Sequence, residues 1–453
     1  MKRRRALGLA LLLAPFLASG KNPGPDAEID RIAKELMRTG HMPGMALCVI
    51  QHGRVLASRT YGLADLENGV PVSRDSEFSI ASTTKQLTAA AILQLAERGS
   101  LSLDDDISRF VKEFPHRDRG VTIRRLLNHT AGVRNLQDLG ERYWNQSAAS
   151  ATPAELIELF KNEPLDFEPG TAYHYSNSGY ILLGAAIESI TGETYGDYVR
   201  HHLLDPLDLK HMTLPESLTI LGHRVHPYWY NGTGFVNARY YDGSQGYAMG
   251  GIYSSAEDLA RWTVALHHGL VLGPFFYQLM ITPETLLDGE PLSYGYGMEV
   301  GSIANQRHVY SHAGGGVGFI SQALYVPEDD LAIAALSNSN FGGGSVEVAD
   351  QVMRKILHIP GPADLALPAG AADRYAGRYC MDGQVVDVVS TDGHLLLRDG
   401  GGGEGRRLRY QGDGVFAQDG RLARLHFREE GGRIRGFVLA RYGSALATAT
   451  REN

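Results

Sequence analysis

Ser82-Thr83-Thr84-Lys85 places a hydroxyl and an amine at a spacing that could make a nucleophile. On a helix, positions i and i+3 share a face, so the Lys85 amine stands beside the Ser82 hydroxyl and can take its proton. A helix N-terminus adds positive potential and free backbone N–H groups where an oxyanion would form. A Ser-x-x-Lys pair arises by chance about once in a chain of this size, and an isolated one reads as a helix cap beside a solvated charge. Context favours chemistry here. Lys85 is the one lysine with a serine three residues before it, and the extended segment 77–81 leads into the pair.

Two further strings fit the same chemistry. Tyr-x-Asn occurs at Tyr143-Trp144-Asn145 and at Tyr175-Ser176-Asn177. The second follows a Glu168-Pro169-Gly170 turn and runs straight into an apolar helix over 179–190, whereas the first reads as part of a polar loop. A preorganised site needs the rigid copy, so Tyr175 is the candidate proton carrier. Asn177 is then placed to bind a substrate carbonyl or to hold Lys85. The third string, Tyr310-Ser311-His312-Ala313-Gly314-Gly315-Gly316, joins a strand to three glycines, and backbone without side chains lets a substrate lie against a strand edge.

These residues need a scaffold, and the apolar pattern supplies one. A helical opening (Ile29, Ile32, Ala33, Leu36, Met37) precedes a predicted hairpin, 45–51 and 55–61, turning at His52-Gly53. Helices are predicted over 84–98, 123–128, 153–161, 178–190, 195–204 and 256–267, several opened by Ser, Thr or Asn caps. Strands return at 308–312, 318–326 and 331–337, and a helix follows at 346–357. Strands, helical insertion, strands and helix make an α+β layout whose antiparallel sheet is assembled from both ends of the domain. Residues 359–370 have linker composition, and beyond them eight short alternating runs lie between 378 and 450, separated by Gly-rich turns. Eight such strands predict a small closed antiparallel barrel, since closure removes exposed edges. The Gly400 to Gly403 run reads as a loop, with no phosphate-binding lysine or helix start after it.

Length and charge bound the rest. At 453 residues the chain exceeds what one core holds, so the division is residues 21–358 for the hydrolytic domain, 359–370 for the linker and 371–453 for the barrel. Residues 1–20 read as a secretory signal peptide: Lys2 to Arg5 basic, Ala6 to Leu17 apolar, and Ala18-Ser19-Gly20 a cleavage site. The apolar run is too short to span a bilayer, so the expected location is periplasmic or secreted, without membrane insertion after signal removal. Cleavage removes four basic and no acidic residues, taking the formal charge from −8 to −12, which argues against nucleic acid as a partner. Cys48 and Cys380 read as two buried free thiols. The pairs His201-His202 and His267-His268 lack zinc-site spacing, so no metal and no cofactor is expected.

With these strings in place, the chain resembles the penicillin-recognising serine hydrolases, in the class C β-lactamase and DD-peptidase (S12) branch. The three motifs, the string Leu126 to Gly132, and the string Met249 to Leu259 carry the resemblance over about residues 25–358. Tyr375-Ala376-Gly377-Arg378-Tyr379 resembles the lipocalin-like C-terminal domain of some relatives. The resemblance implies that the backbone N–H groups of Ser82 and Gly315 form an oxyanion hole, that Gly314 and His312 line the substrate strand, and that Gln137 touches the substrate amide. His129, which follows Leu126-Leu127-Asn128, reads as structural rather than catalytic. One departure matters: His312 and Ala313 stand where β-lactamases have the Lys and Thr of Lys-Thr-Gly. A mostly neutral imidazole attracts a substrate carboxylate weakly at neutral pH and better as it charges near its ordinary pKa of about 6.5.

The expected activity is therefore hydrolysis of amide or ester bonds through an acyl-Ser82 intermediate, on D-amino-acid-containing peptides or amides or on small esters. A weak β-lactamase is the enzymatic alternative. A non-catalytic recognition domain keeping the fold is the alternative of another class. The expected partner is a small-molecule or peptide substrate.

Overall fold

The computed structural model describes residues 25–452 apart from 117, 217–218, 304–305, 340–342, 362, 369, 382–383, 400–404, 419–422 and 443. The signal-peptide segment and the Gly400 to Gly403 run lie outside the described residues.

An antiparallel sheet of seven strands forms the centre. Its strands are β1 (Gly44–Gln51), β2 (Arg54–Asp65), β3 (Val70–Pro71), β4 (Glu299–Ile303), β5 (Arg307–Gly316), β6 (Phe319–Val326) and β7 (Leu331–Ser337). The order is β3-β2-β1-β7-β6-β5-β4, so the N-terminal hairpin pairs with the last strand and the sheet is closed from both chain ends, as the α+β reading requires. Alternation explains why both faces are covered. In β1, Ala46, Cys48 and Ile50 enter the large core beneath the helical insertion, while Met45, Leu47 and Val49 enter the opposite core. The first core holds α2 (Thr84–Glu97), α3 (Asn177–Thr191) and α4 (Ala256–His267); the second is roofed by α1 (Pro25–Thr39) and α5 (Gly344–Ile356). Period-two alternation on a sheet buried on both faces is what makes the central strands β1 and β7 apolar almost throughout.

The C-terminal strands close into an eight-stranded antiparallel barrel, β8 (Gly377–Met381), β9 (Gln384–Thr391), β10 (His394–Asp399), β11 (Arg406–Gly412), β12 (Val415–Gln418), β13 (Arg424–Glu430), β14 (Arg433–Arg441) and β15 (Ser444–Arg451). It has its own core around Tyr379, Leu395, Phe416, Leu425 and Phe437. Its β14–β15 turn reaches back to the central sheet: the Ser302 N–H donates to Tyr442 O at 2.6 Å, along the outer edge of β4. Gly301 permits this approach, because a Cβ there would stand 2.3 Å from the same carbonyl oxygen. Tyr442 is buried in the second core of the central sheet.

Cys48 is a buried free thiol as expected; Cys380 is also free but only half-buried, because it lies on a barrel strand rather than in a sheet covered on both faces. β4 was not among the expected strands. Among the described residues no helix is long and apolar enough to cross a membrane.

Residues 21–370 produced alone should fold, since among the described buried residues Tyr442 is the barrel's one contribution to the two sheet cores. Losing its burial should cost about 2 kcal/mol. Circular dichroism and thermal unfolding of this fragment check it; a fragment that never acquires a cooperative transition contradicts the independence of the two cores.

Candidate active site

Ser82 sits in a tight 3-10 turn (Ala81–Thr83) that runs directly into α2. Ala81, just before it, has φ +43°, a backbone conformation that costs a residue with a Cβ about 1 to 3 kcal/mol and persists only where surroundings enforce it. The enforcement is visible. The Ser321 hydroxyl donates to Ile80 O at 2.6 Å, the Thr83 hydroxyl lies 2.9 Å from Ser321 Oγ and 3.2 Å from His312 O, and the Ile80 N–H donates to Ile252 O at 2.9 Å. The nucleophile turn is thus clamped between β5, β6 and the segment after Met249.

Lys85 is fully buried one turn along α2, with Nζ 3.2 Å from Ser82 Oγ, 2.7 Å from Asn177 Oδ1 and 2.7 Å from Met249 O. Burial away from any compensating carboxylate pushes its pKa well below the ordinary lysine value. The contacts fit a neutral amine: the Met249 carbonyl and the Asn177 amide oxygen only accept, so they take its two N–H groups and leave the lone pair facing the Ser82 hydroxyl. Asn177 is oriented for this, because its Nδ2 donates to Gln137 Oε1 at 3.1 Å and its backbone N–H donates to Asn135 Oδ1 at 3.1 Å. It is the first residue of α3, capped by Ser176.

Tyr175 lies beside this pair, with Lys85 Nζ 4.9 Å from its ring centroid. Its hydroxyl is shielded from solvent and makes no hydrogen bond of ordinary geometry, though Ser82 is near enough to ease its ionisation slightly. Desolvation dominates and pushes its pKa up, so it is a neutral phenol. His129 fixes the ring, 4.2 Å away between centroids, while its own Nδ1 accepts from the Ser176 N–H at 3.1 Å. Burial drives the His129 pKa well down, so a neutral imidazole braces the Tyr175 loop. The competing Tyr143 is also rigid, contrary to the loop reading: it is buried in a short helix and paired with the Tyr241 hydroxyl at 2.8 Å, with neither Ser82 nor Lys85 among its partners.

Two expectations for the third motif need correction. Gly314 does not face substrate; a Cβ there would lie 2.1 Å from Ile80 O, so its glycine is required by packing of β5 against the nucleophile turn. Gly315 does face the cleft, with open space where a side chain would be. His312 borders the cleft but does not charge between pH 5.5 and 8.5. Its Nδ1 contacts Ala313 O at 2.6 Å, which fixes the proton there, and its Nε2 accepts from the Tyr294 hydroxyl at 2.8 Å. Burial pushes its pKa down to about 3.

Ser82, Gln137, Asn177 and Gly315 line two adjoining chambers. The larger, about 470 Å³, has an aromatic wall of Tyr240, Tyr241, Tyr253 and Phe319 together with Arg224. The smaller, about 360 Å³, is walled by Tyr175, His312, Glu299 and Arg441. The last two were missed in the sequence, Glu299 because its strand was, and Arg441 because it lies at the end of a barrel strand.

The paired histidines are spoken for, His201 and His202 by Glu193, His267 by Tyr277 and His268 by Asp330. Among the described residues Asp65, Glu67 and His226 form the one group close enough to hold a cation, and Asp65 is committed to Asn68.

The Beta-lactamase family pattern matches residues 29–358. The chain belongs to the beta-lactamase family. Penicillin-binding protein 4* of Bacillus subtilis is 26% identical over 397 residues, 81% of this chain and 86% of that protein. Protein flp of Staphylococcus aureus is 28% identical over 325 residues, 69% of this chain and 63% of that protein. The octameric penicillin-binding protein homologue from Pyrococcus abyssi superposes with a TM-score of 0.68 at 22% identity, covering 94% of this chain and all of that one. D-amino acid amidase from Ochrobactrum anthropi gives 0.65 at 24% identity over 74% of this chain and 99% of that one. As a beta-lactamase-fold hydrolase, the chain keeps its motif residues in one cleft.

The depressed Lys85 pKa has a stability consequence. Between the folded value and the unfolded value of about 10.4 the unfolded chain binds one more proton, so this group makes stability rise with pH. Relative to Lys85→Met, the wild type should gain stability from pH 7 to 10 in urea unfolding; a pH-independent difference contradicts a neutral buried amine.

Proposed function

We propose that this protein is an exported serine hydrolase that cleaves amide or ester bonds through an acyl-Ser82 intermediate. The observation that carries the reading is the fully buried Lys85 Nζ, 3.2 Å from Ser82 Oγ and held by the Asn177 and Met249 carbonyl oxygens with no carboxylate to keep it charged. Ser82 Oγ attacks the carbonyl carbon as its proton passes to Lys85 Nζ. The Ser82 and Gly315 N–H groups receive the oxyanion. When the bond to the leaving group breaks, the Tyr175 hydroxyl gives its proton to the departing nitrogen or oxygen, and the Lys85 ammonium restores it. Water then attacks the ester with Lys85 again taking the proton, and acid and free enzyme result.

D-amino-acid-containing peptides or amides, or small esters, are the substrate class, supported by likeness to a D-amino acid amidase and to penicillin-binding proteins. The neutral His312 is consistent with weak β-lactam turnover, since the third motif itself brings no cation. A non-catalytic role is disfavoured by an intact nucleophile, base and proton carrier. The basic and apolar segments at 2–17 support a periplasmic or secreted location.

A fluorophosphonate should give one adduct, on Ser82, by peptide mapping. Ser82→Ala and Lys85→Ala should each lower turnover of D-aminoacyl amides and nitrophenyl esters by several orders of magnitude, about as much together as singly. Labelling elsewhere, or full activity in Ser82→Ala, ends the acyl-enzyme reading. For a neutral ester, kcat/KM should hold level through neutral pH and fall as acid protonates Lys85, because only the free amine can accept the serine proton.

A further inference from the structure

The two chambers differ in one mechanistic respect. Tyr175, which hands a proton to the leaving group, walls the smaller chamber and not the larger. On the acyl-serine reading, the smaller chamber therefore holds the departing half of the substrate and the larger holds the acyl half. Of the described residues walling the smaller chamber, Arg441 is the one permanent cation, and it comes from the barrel.

Arg441 is built in rather than draped over the opening. Its side chain is 11% exposed; Nη2 donates to Glu299 Oε1 at 3.1 Å and Nη1 to Gln322 Oε1 at 3.2 Å. Glu299, 12% exposed, also accepts from the Ser311 hydroxyl at 3.3 Å, so β4 and β5 hold the carboxylate that holds the arginine. The adjoining Ser302–Tyr442 backbone bond fixes the turn that carries Arg441. A guanidinium has five N–H groups in a planar fork and can serve two carboxylates at once.

We propose that Arg441 binds a carboxylate on the leaving group, so that the barrel makes the enzyme prefer substrates whose departing piece is anionic, such as the C-terminal amino acid of a short peptide. The barrel thereby supplies the cation that the third motif lacks. Glu299 positions the guanidinium and partly offsets its charge, which gives the two residues opposite effects on selectivity.

The test uses the full chain and two esters differing only in the leaving group: acetyl-D-alanyl esters of 3-hydroxybenzoate and of 3-hydroxybenzamide. The readout is the ratio of kcat/KM, anionic over neutral. Arg441→Gln should lower the ratio by about 10- to 100-fold, the size of a charge-assisted contact realised in the transition state. Arg441→Lys should restore part of it, and Glu299→Gln should raise it above the wild type. If Arg441→Gln fails to fold for want of a partner to Glu299, the double variant Glu299→Gln/Arg441→Gln, neutral at both positions, should show the same fall. A ratio unmoved by Arg441→Gln or the double variant, or moved in one direction by all variants alike, overturns the proposal while fluorophosphonate labelling of Ser82 keeps the hydrolase reading standing. If the wild type hydrolyses neither ester and Ser82 takes no label, the acyl-serine reading falls and this inference with it.

Discussion

An amine with no compensating carboxylate in a dry interior is unfavourable as a cation, and much of the catalytic half of this protein serves to keep Lys85 in that position. The Met249 carbonyl and the Asn177 amide occupy its N–H groups. Asn177 depends in turn on Gln137, on Asn135 and on the Ser176 cap that starts α3. The helical insertion therefore does more than cover the sheet: its residues Asn135, Gln137, Asn177 and Met249 together orient the amine. The strained Ala81 is held by other groups, Ser321 on one side and Ile252 on the other, and the 249–252 segment touches both this turn and Lys85.

The barrel adds a second constraint through a small contact. Its β14–β15 turn meets the outer edge of β4, where Gly301 admits the Tyr442 carbonyl and Glu299 meets Arg441. Part of the β4 edge pairs with residues 293–294, and beyond that the Tyr442 carbonyl takes the Ser302 N–H, which fixes the turn while Arg441 at the end of β14 walls the smaller chamber. The barrel keeps a separate core of its own.

Local features were legible in the sequence because their physics is local. Ser82 and Lys85 share a helix face, Tyr175 and Asn177 abut a capped helix, and period-two alternation located five of the seven strands of the central sheet and all eight barrel strands. What failed depended on burial and on distant contacts. The type of residue at 312 was readable, but its protonation is set by Tyr294, by Ala313 O and by desolvation that spacing does not reveal. Gly314 was rightly read as a position needing glycine and wrongly assigned to substrate, since the close neighbour is Ile80 O, from a segment more than 200 residues away. Glu299 and Arg441 meet across 142 residues, from the central sheet to the barrel, and an arginine at the end of a barrel strand looks like any other surface charge.

The protonation state of Lys85 is the claim on which the mechanism rests, and it can be observed directly. In protein labelled with ¹³C and ¹⁵N lysine, a pH titration followed at the side-chain Cε and Nζ should reveal one lysine already a neutral amine at pH 7, with its signal missing in Lys85→Arg. If Lys85 instead titrates near the ordinary lysine value of about 10.4, the amine is a cation at neutral pH and cannot act as the base that activates Ser82.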